Sequence, residues 1–146
     1  MPEVPGSAQP SSNAHFQVDL GTTDPASPEA GFCEVIFPDF PVPAAGAAPS
    51  PPGPAAADGR RYLILRRGVT AALDLYAWWN DARHKRAPFH RTVKIHLMSA
   101  DHSRLIVTWT FHGSRPVKLA YSPLNALDGS ALIETIELDF DSMEMA

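Results

Sequence analysis

The segment from Pro38 to Gly59 limits most strongly what this chain can fold into. It reads PDFPVPAAGAAPSPPGPAAADG and holds seven of the chain's 15 prolines. Because proline lacks a backbone N–H and fixes φ, this stretch cannot form a helix interior or a central strand. We predict an extended, partly polyproline loop, which is either a disordered insertion or an ordered contact arm.

The regions on both sides of this loop carry the alternating apolar pattern of β-strands. Before the loop, strands are predicted over His15–Leu20 and Gly31–Phe37. After it, they are predicted over Arg60–Gly68, His90–Met98, Leu105–His112, Pro116–Tyr121 and Leu132–Asp141, with a turn at Gly113–Ser114. The strand at Arg60–Gly68 is apolar on both faces at its centre, so it is either buried on both sides or meets another subunit.

One helix is predicted, over Val69–His84 (VTAALDLYAWWNDARH). Its apolar residues recur at helical spacing, and Thr70 is the expected N-cap. Basic residues follow at its end, where they suit the negative end of the helix dipole. Pro88 prevents much continuation.

These elements predict an α+β domain, a small antiparallel β-barrel or sandwich of about seven strands with one flanking helix. The expected organisation is a flexible arm over residues 1–14, one domain over residues 15–141 with the Pro/Ala-rich insertion at 38–59, and a tail over residues 142–146.

Composition excludes several classes of protein. The net charge of −4 argues against a specific nucleic-acid binder, which usually has a basic surface. Cys33 is the only cysteine, so no intrachain disulfide is possible. The start MPEVP lacks the features of a signal peptide, and no apolar stretch approaches the roughly 20 residues that cross a bilayer. We therefore expect a chain made in the cytoplasm, with no membrane partner.

The histidines do not predict a metal site. His84, His90, His96 and His102 recur every six residues, and six residues along a strand span about 20 Å, too far for two ligands of one ion. Cys33 lies in the apolar run GFCEVIF, which suits an inert buried thiol. Without a phosphate-binding or nucleophile motif, no cofactor and no enzymatic activity are expected.

Glu137, Asp139 and Asp141 form an acidic stripe along one face of the last predicted strand. Acid–base catalysis needs two carboxylates in different environments, whereas these environments look alike. The stripe is expected to be a solvated outer face or the lining of a wide aqueous channel. Arg66, Arg67 and the basic residues near them are expected to pair with this stripe in a neighbouring copy.

Three segments, in this order, resemble the contractile phage tail tube family: LILRRGVT at 63–70, LYAWWNDAR at 75–83 and WTFHGSRPVKLAYSPLNALDGSALIETIEL at 109–138. The strands HFQVDL and GFCEVIF are similar to the family's opening, so the resemblance covers roughly residues 15–37 and 60–141. It departs from the family at Pro38–Gly59, where members have a long β-hairpin that reaches the adjacent ring. The chain is then a tube subunit whose Pro-rich arm replaces the hairpin, or a tube-initiating paralogue near the baseplate.

The resemblance implies a fold shared with type VI secretion tube proteins and assembly into six-membered rings that stack into a tube. It implies tube paralogues, sheath and baseplate or spike proteins as partners, possible cargo in the lumen, and a phage tail or tail-like particle as the location. The candidate subunit-interface residues are Tyr62, Ile64, Arg66, Arg67, Trp78, Trp79, Leu124 and Asn125. The lumen is expected to be lined by the face of His90, Lys94 and His96 or by the acidic face, which we favour, so the candidate lumen residues are Glu137, Asp139 and Asp141. Trp78 and Trp79 would anchor the helix either on the barrel or on the neighbouring subunit.

Two other functions remain open on the sequence alone. The first is a monomeric binding or adaptor module that acts through its Pro-rich loop. The second is a small hydrolase that uses histidine and carboxylate side chains.

Overall fold

The computed structural model describes residues 15–21, 31–42 and 61–146. The predicted N-terminal arm and most of the Pro-rich insertion lie outside these residues. The described elements are the helix α1 (Asp74–Arg83) and the strands β1 (Phe16–Asp19), β2 (Phe32–Ile36), β3 (Leu63–Gly68), β4 (Arg91–Met98), β5 (Leu105–Tyr121), β6 (Ile133–Asp139) and β7 (Ser142–Met145).

The strands form one antiparallel network that folds into two layers around β5. The strand order is β1-β4-β5-β6-β3-β2, and β7 also pairs with β5. The first half of β5 lies between β4 and β7, and its second half pairs with β6. We call β1, β4, β7 and the first half of β5 the first sheet, and β2, β3, β6 and the second half of β5 the second sheet. The predicted antiparallel, seven-stranded fold with one helix is confirmed, as an open sandwich rather than a closed barrel.

The expected turn at Gly113–Ser114 is wrong, because β5 runs through it as one strand of 17 residues. Gly113 adopts a φ of 65°, and the ladder with β4 shifts register beside Ser114. A glycine at positive φ bends the strand without ending it. Gly113 is therefore the point at which β5 passes from one sheet to the other.

The last predicted strand is shorter than expected, and a further strand follows it. β6 ends at Asp139, and the residues expected to be a C-terminal tail form β7 instead. The N–H of Asp141 donates to the carbonyl of His112 at 2.8 Å, which starts this new pairing. The number of strands matches the prediction because two errors cancel. The prediction divided β5 into two strands, and it did not include β7.

The helix begins later than predicted, at Asp74 rather than Val69. Thr70 is not its N-cap: its Oγ1 accepts a hydrogen bond from the N–H of Ala72 at 3.2 Å, which stabilises a turn before the helix. Leu73 holds the N-cap position without a side-chain hydrogen bond. None of the described residues form a helix with the length and apolar character that a bilayer crossing requires.

The hydrophobic core lies between the two sheets and under α1. The fully buried apolar side chains come from both sheets and the helix: Val18, Leu20, Leu63, Leu65, Leu75, Trp78, Val93, Ile95, Phe111, Ile136 and Leu138. In β4 and β6 the apolar face of the alternating pattern is therefore the buried one at the strand centre, whereas β3, which is apolar on both faces, buries the face of Leu63 and Leu65. Leu105, the first residue of the alternating run in β5, is 51% exposed because it lies at the outer end of the strand.

Candidate assembly surfaces

Arg66 and Arg67, both candidate interface residues, are adjacent in the chain before α1 but lie in different environments. Successive side chains of a strand point to opposite faces. Arg66 therefore stays on the surface, where its Nη1 lies 3.0 Å from Oε1 of Glu34, and both side chains are about half exposed. Arg67 points inward and is 2% exposed. Arg67 has almost no surface left for a neighbouring subunit, so its predicted interface role is corrected to a structural role inside the chain.

Arg67 joins the second sheet to the start of α1. Its Nε donates to Oε1 of Glu134 on β6 at 2.6 Å, and its Nη1 donates to Oδ2 of Asp74 at 3.1 Å. Its Nη2 also donates to Oδ1 of Asp74. Burial by itself lowers the pKa of Arg67, but the hydrogen bonds and charges of Asp74 and Glu134 outweigh this effect and leave the pKa raised. The guanidinium is thus held charged and fixes where α1 begins.

The ion cluster of Arg67, Asp74 and Glu134 was not predicted from the sequence, although the position of Glu134 in its strand indicated it. Glu134 shares its strand face with Ile136 and Leu138, both of which are fully buried. A carboxylate on a buried face needs a cation beside it. The strand face on which Glu134 lies therefore predicts a basic residue that points into the core beside it.

The two adjacent tryptophans of α1 have different environments. Trp78 is 1% exposed, its Nε1 donates to the carbonyl of Phe89 at 2.7 Å, and Arg91 lies over its ring at 4.6 Å. Of the two alternatives for Trp78, the structure supports the anchor on the sheets, and its candidate interface role is corrected. Trp79 is only half buried: its ring lies 6.0 Å from that of Tyr76 and 4.5 Å from the guanidinium of Arg83. Trp79 remains accessible to a second copy.

Tyr62 and Ile64 are half buried. Ile64 lies between Ile36 of β2 and Glu137 of β6, so its own sheet covers part of it. Tyr62 lies beside Arg61, whose guanidinium is 5.5 Å from the ring. The outward face of β3 is therefore partly apolar and partly accessible.

The loop after β5 projects leucines into solvent. Leu124 is 86% exposed and Leu127 is 97% exposed. Asn125 accepts a hydrogen bond from the N–H of Leu127 at 3.0 Å through its Oδ1, so its side chain shapes the turn between them. Exposed leucines on a turn that is fixed in this way are typical of a contact surface.

The acidic stripe is compensated within the chain. Asp139 lies 2.7 Å from Nη2 of Arg115 and 3.6 Å from Nη2 of Arg61. Asp141 lies 3.2 Å from Arg115, and Glu137 lies 3.4 Å from the ammonium of Lys118. The expected pairing of this stripe with a neighbouring copy is therefore corrected: its basic partners come from β5 and from the residues before β3. Asp141 also lies beyond the end of β6, so only Glu137 and Asp139 share a strand face.

Three of the described strands have one unpaired edge. β1, β2 and β7 each pair with a single described neighbour. Among the described residues, a groove of about 700 Å³ lies between β1 and β2, and its apolar lining includes Phe16, Phe37 and Trp109. Unpaired strand edges beside apolar surface can accept strands of another chain.

The described residues contain no group of three histidine, cysteine or carboxylate side chains placed to hold a metal ion. His15 and His102 do approach each other, with Nδ1 and Nε2 3.3 Å apart.

Cys33 is exposed and donates to the carbonyl of Arg66 at 3.4 Å, so the expectation of a buried thiol is wrong. The reason is the β2–β3 ladder, which shifts register beside Cys33 and turns it outward.

One family model matches almost the whole chain. The family model described as T4-like virus tail tube protein gp19 matches residues 12–144. No curated protein sequence matches the chain.

Solved structures share the fold. A chain in the cryo-EM structure of the anti-feeding prophage baseplate is 22% identical, with 95% of this chain and 97% of that chain covered and a TM-score of 0.73. A chain of the sheath–tube complex of the extracellular contractile injection system PVC is 19% identical, with 96% and 93% covered and a TM-score of 0.68. Hcp1 from Flavobacterium johnsoniae is 12% identical, with 90% and 94% covered and a TM-score of 0.59.

Proposed function

Since the chain belongs to the family of the T4-like virus tail tube protein gp19, we propose that it forms six-membered rings of the inner tube of a contractile phage tail or tail-like injection system. The observation that carries this proposal is the family match over residues 12–144, almost the whole chain. The role is structural, and the chain performs no chemistry.

A ring needs a heterologous contact, in which one surface of a copy meets a different surface of the next copy. The chain offers both apolar side chains and open strand edges for such a contact. The remaining candidate contact residues are Tyr62, Ile64, Arg66, Trp79, Leu124 and Asn125. Strand edges of β1, β2 or β7 that pair between copies would extend the sheet around the ring and remove its open margins.

We assign the lumen to the outer face of the second sheet, where Glu137 and Asp139 lie. Each carboxylate has a basic partner from its own chain. This compensation leaves little net charge on the face, which suits a wet channel that lets cargo pass without holding it. Asp141 lies at the end of this face, and its carboxylate is 68% exposed.

The partners follow from the same proposal. Tube paralogues would stack above and below each ring, a sheath would surround it, and baseplate or spike proteins would meet its end. The similar chains come from structures described as a baseplate and a sheath–tube complex. Both a main tube subunit and a tube initiator near the baseplate fit this proposal. Neither a membrane nor a specific nucleic acid is a partner.

Electron microscopy of the purified full chain tests the proposal. We expect rings with six-fold symmetry, or rods built from them, at high protein concentration or on a baseplate that nucleates assembly. Trp79→Ala should remove the rings while circular dichroism shows a folded monomer. A chain that stays monomeric both alone and with a nucleating baseplate would refute the assignment.

A further inference from the structure

Two histidines that are 87 residues apart in sequence meet at one end of the first sheet. The Nδ1 atom of His15 lies 3.3 Å from Nε2 of His102, and the centroids of the two rings are 5.1 Å apart. The ring planes are nearly perpendicular, so the rings do not stack. The histidine series at six-residue spacing does not include His15, so the sequence pattern did not indicate this pair.

Hydrogen bonds outside the two rings hold both residues in place. The carbonyl of His15 accepts from the N–H of Met98 at 2.8 Å, which extends the β1–β4 ladder by one residue. His102 lies in the loop between β4 and β5, where its N–H donates to the carbonyl of Ser99 at 2.9 Å. The hydroxyl of Ser99 donates to Oδ1 of Asp101 at 2.7 Å and stabilises the same loop. The approach of the imidazoles is therefore set by the fold around them.

The distances between the two rings suit two ligands of one metal ion better than a hydrogen bond. A nitrogen donor usually lies about 2.7–3.2 Å from an oxygen acceptor. Two imidazoles bound at about 2.0–2.1 Å to one tetrahedral ion have their ligating nitrogens about 3.3–3.4 Å apart and their ring centroids about 5.2 Å apart. The observed separations of 3.3 Å and 5.1 Å match this arrangement.

A second exposed histidine has a possible metal ligand beside it but a different geometry. The Nε2 atom of His112 lies 2.5 Å from Oε1 of Glu144. Two atoms this close form a short hydrogen bond and are too near each other for two ligands of a tetrahedral ion. His112 therefore provides a matched control for the pair of His15 and His102.

We propose that Nδ1 of His15 and Nε2 of His102 bind one divalent transition-metal ion of the zinc class, with water in the remaining coordination positions. Imidazole nitrogen is a preferred ligand of Zn²⁺, Cu²⁺ and Ni²⁺. Among the described residues no group of three histidine, cysteine or carboxylate side chains completes such a site. With only two protein ligands, the ion should exchange with the solution and be removed by a chelator. This inference does not depend on assembly into a tube.

The bound ion would hold the start of β1. This strand has four residues, and among the described strands it pairs with β4 alone. An ion that binds the folded chain but not the unfolded one stabilises the fold by mass action. The metal would thus join a short edge strand to the β4–β5 loop.

Calorimetric titration of Zn²⁺ into the chelator-treated full chain tests the site. The parent chain for this experiment carries Cys33→Ser, because the exposed thiol of Cys33 is itself a zinc ligand. We expect one ion to bind per chain and to raise the melting temperature, and EDTA should reverse the rise. His15→Gln and His102→Asn should each remove both effects, and asparagine tolerates the positive φ of 58° at position 102. His112→Gln should bind Zn²⁺ as the parent chain does.

Three results would overturn the site: no binding by the parent chain, unchanged binding by either His15→Gln or His102→Asn, or loss of binding by His112→Gln alone. If circular dichroism shows that a variant does not fold, NMR spectra of the parent chain decide instead. Added Zn²⁺ should shift the imidazole signals of His15 and His102 together, and a shift of one signal or neither would refute the proposal. Because the titration uses the chain before assembly, failure of the metal site leaves the tube assignment unchanged.

Discussion

The Nε atom of Arg67 donates to Oε1 of Glu134 over 2.6 Å, and the two side chains are 3% and 5% exposed. They lie directly opposite each other in the β3–β6 ladder. A buried arginine that binds one carboxylate across the sheet and a second on the helix fixes the corner of the fold. The next residue, Arg66, makes an ordinary half-exposed pair with Glu34. Two neighbouring arginines thus provide a matched comparison.

Arg67→Met should lower the free energy of unfolding by about 3–5 kcal/mol, because it leaves the buried Glu134 without its cation. Arg66→Met should cost less than about 1 kcal/mol, as expected for an exposed pair. Urea denaturation of both variants measures the difference. Equal losses for the two variants would show that the Arg67 cluster has no special role in stability.

The parts of the fold that the sequence predicted well are those with a strong local period. In β4 the alternation that places Val93 and Ile95 on one face is the same alternation that buries them. In β3 the same alternation places Leu63 and Leu65 on one face, but both faces are apolar, so the sequence did not decide which one is buried.

The errors arose where the local sequence pattern favoured one structure and contacts between residues far apart in the chain favoured another. Gly113 and Pro116 predicted a break between two strands, yet β5 continues through both. Its ladder with β6 shifts register between Pro116 and Lys118, which accommodates a residue that has no backbone N–H to donate. Thr70 looked like an N-cap, but the bond between Arg67 and Asp74 sets the start of the helix. The strand β7 has four residues, too few for a periodic signal, and depends on the free edge of β5.

The candidate site was predictable in part for similar reasons. The sequence predicted Trp79 and Leu124 as candidate interface residues, and the structure leaves both accessible. It could not assign Trp78 to the core and Trp79 to the surface, because that choice depends on where the helix packs. Ion pairs such as Arg115–Asp139 join residues far apart in sequence and leave no local pattern.

Gly113→Ala should destabilise the chain by more than the same change at Gly129. Both glycines have a positive φ, of 65° and 69°, which costs an L-residue roughly 1–2 kcal/mol. At Gly113 an added Cβ would also overlap the carboxylate of Asp141, whereas at Gly129 no atom lies within 4 Å. The difference between the two melting temperatures isolates the steric part. A larger loss at Gly129 would contradict a steric effect of the Asp141 side chain at Gly113.

Trp78→Ala and Trp79→Ala should fail in different ways. Removing the fully buried Trp78 should cost about 3–5 kcal/mol of unfolding free energy, because it leaves a cavity and the unpaired carbonyl of Phe89. Removing the half-buried Trp79 should leave most of the stability and abolish assembly. Chemical denaturation measures the first effect, and sedimentation of assembled particles measures the second. Normal assembly by Trp79→Ala would remove Trp79 from the interface.

The stability of the chain should fall at alkaline pH in a way that depends on Tyr121. Burial, then the charges of Glu134 and Tyr76, raise the pKa of its phenol above the ordinary value. The folded chain therefore holds the phenolic proton more tightly than the unfolded chain. This contribution to stability is complete below the unfolded pKa of about 10, and is lost as the pH rises through the higher folded pKa. The unfolding free energy of the natural chain should thus fall relative to that of Tyr121→Phe above about pH 10. Parallel pH profiles of the two proteins from urea denaturation would show that Tyr121 has no such environment.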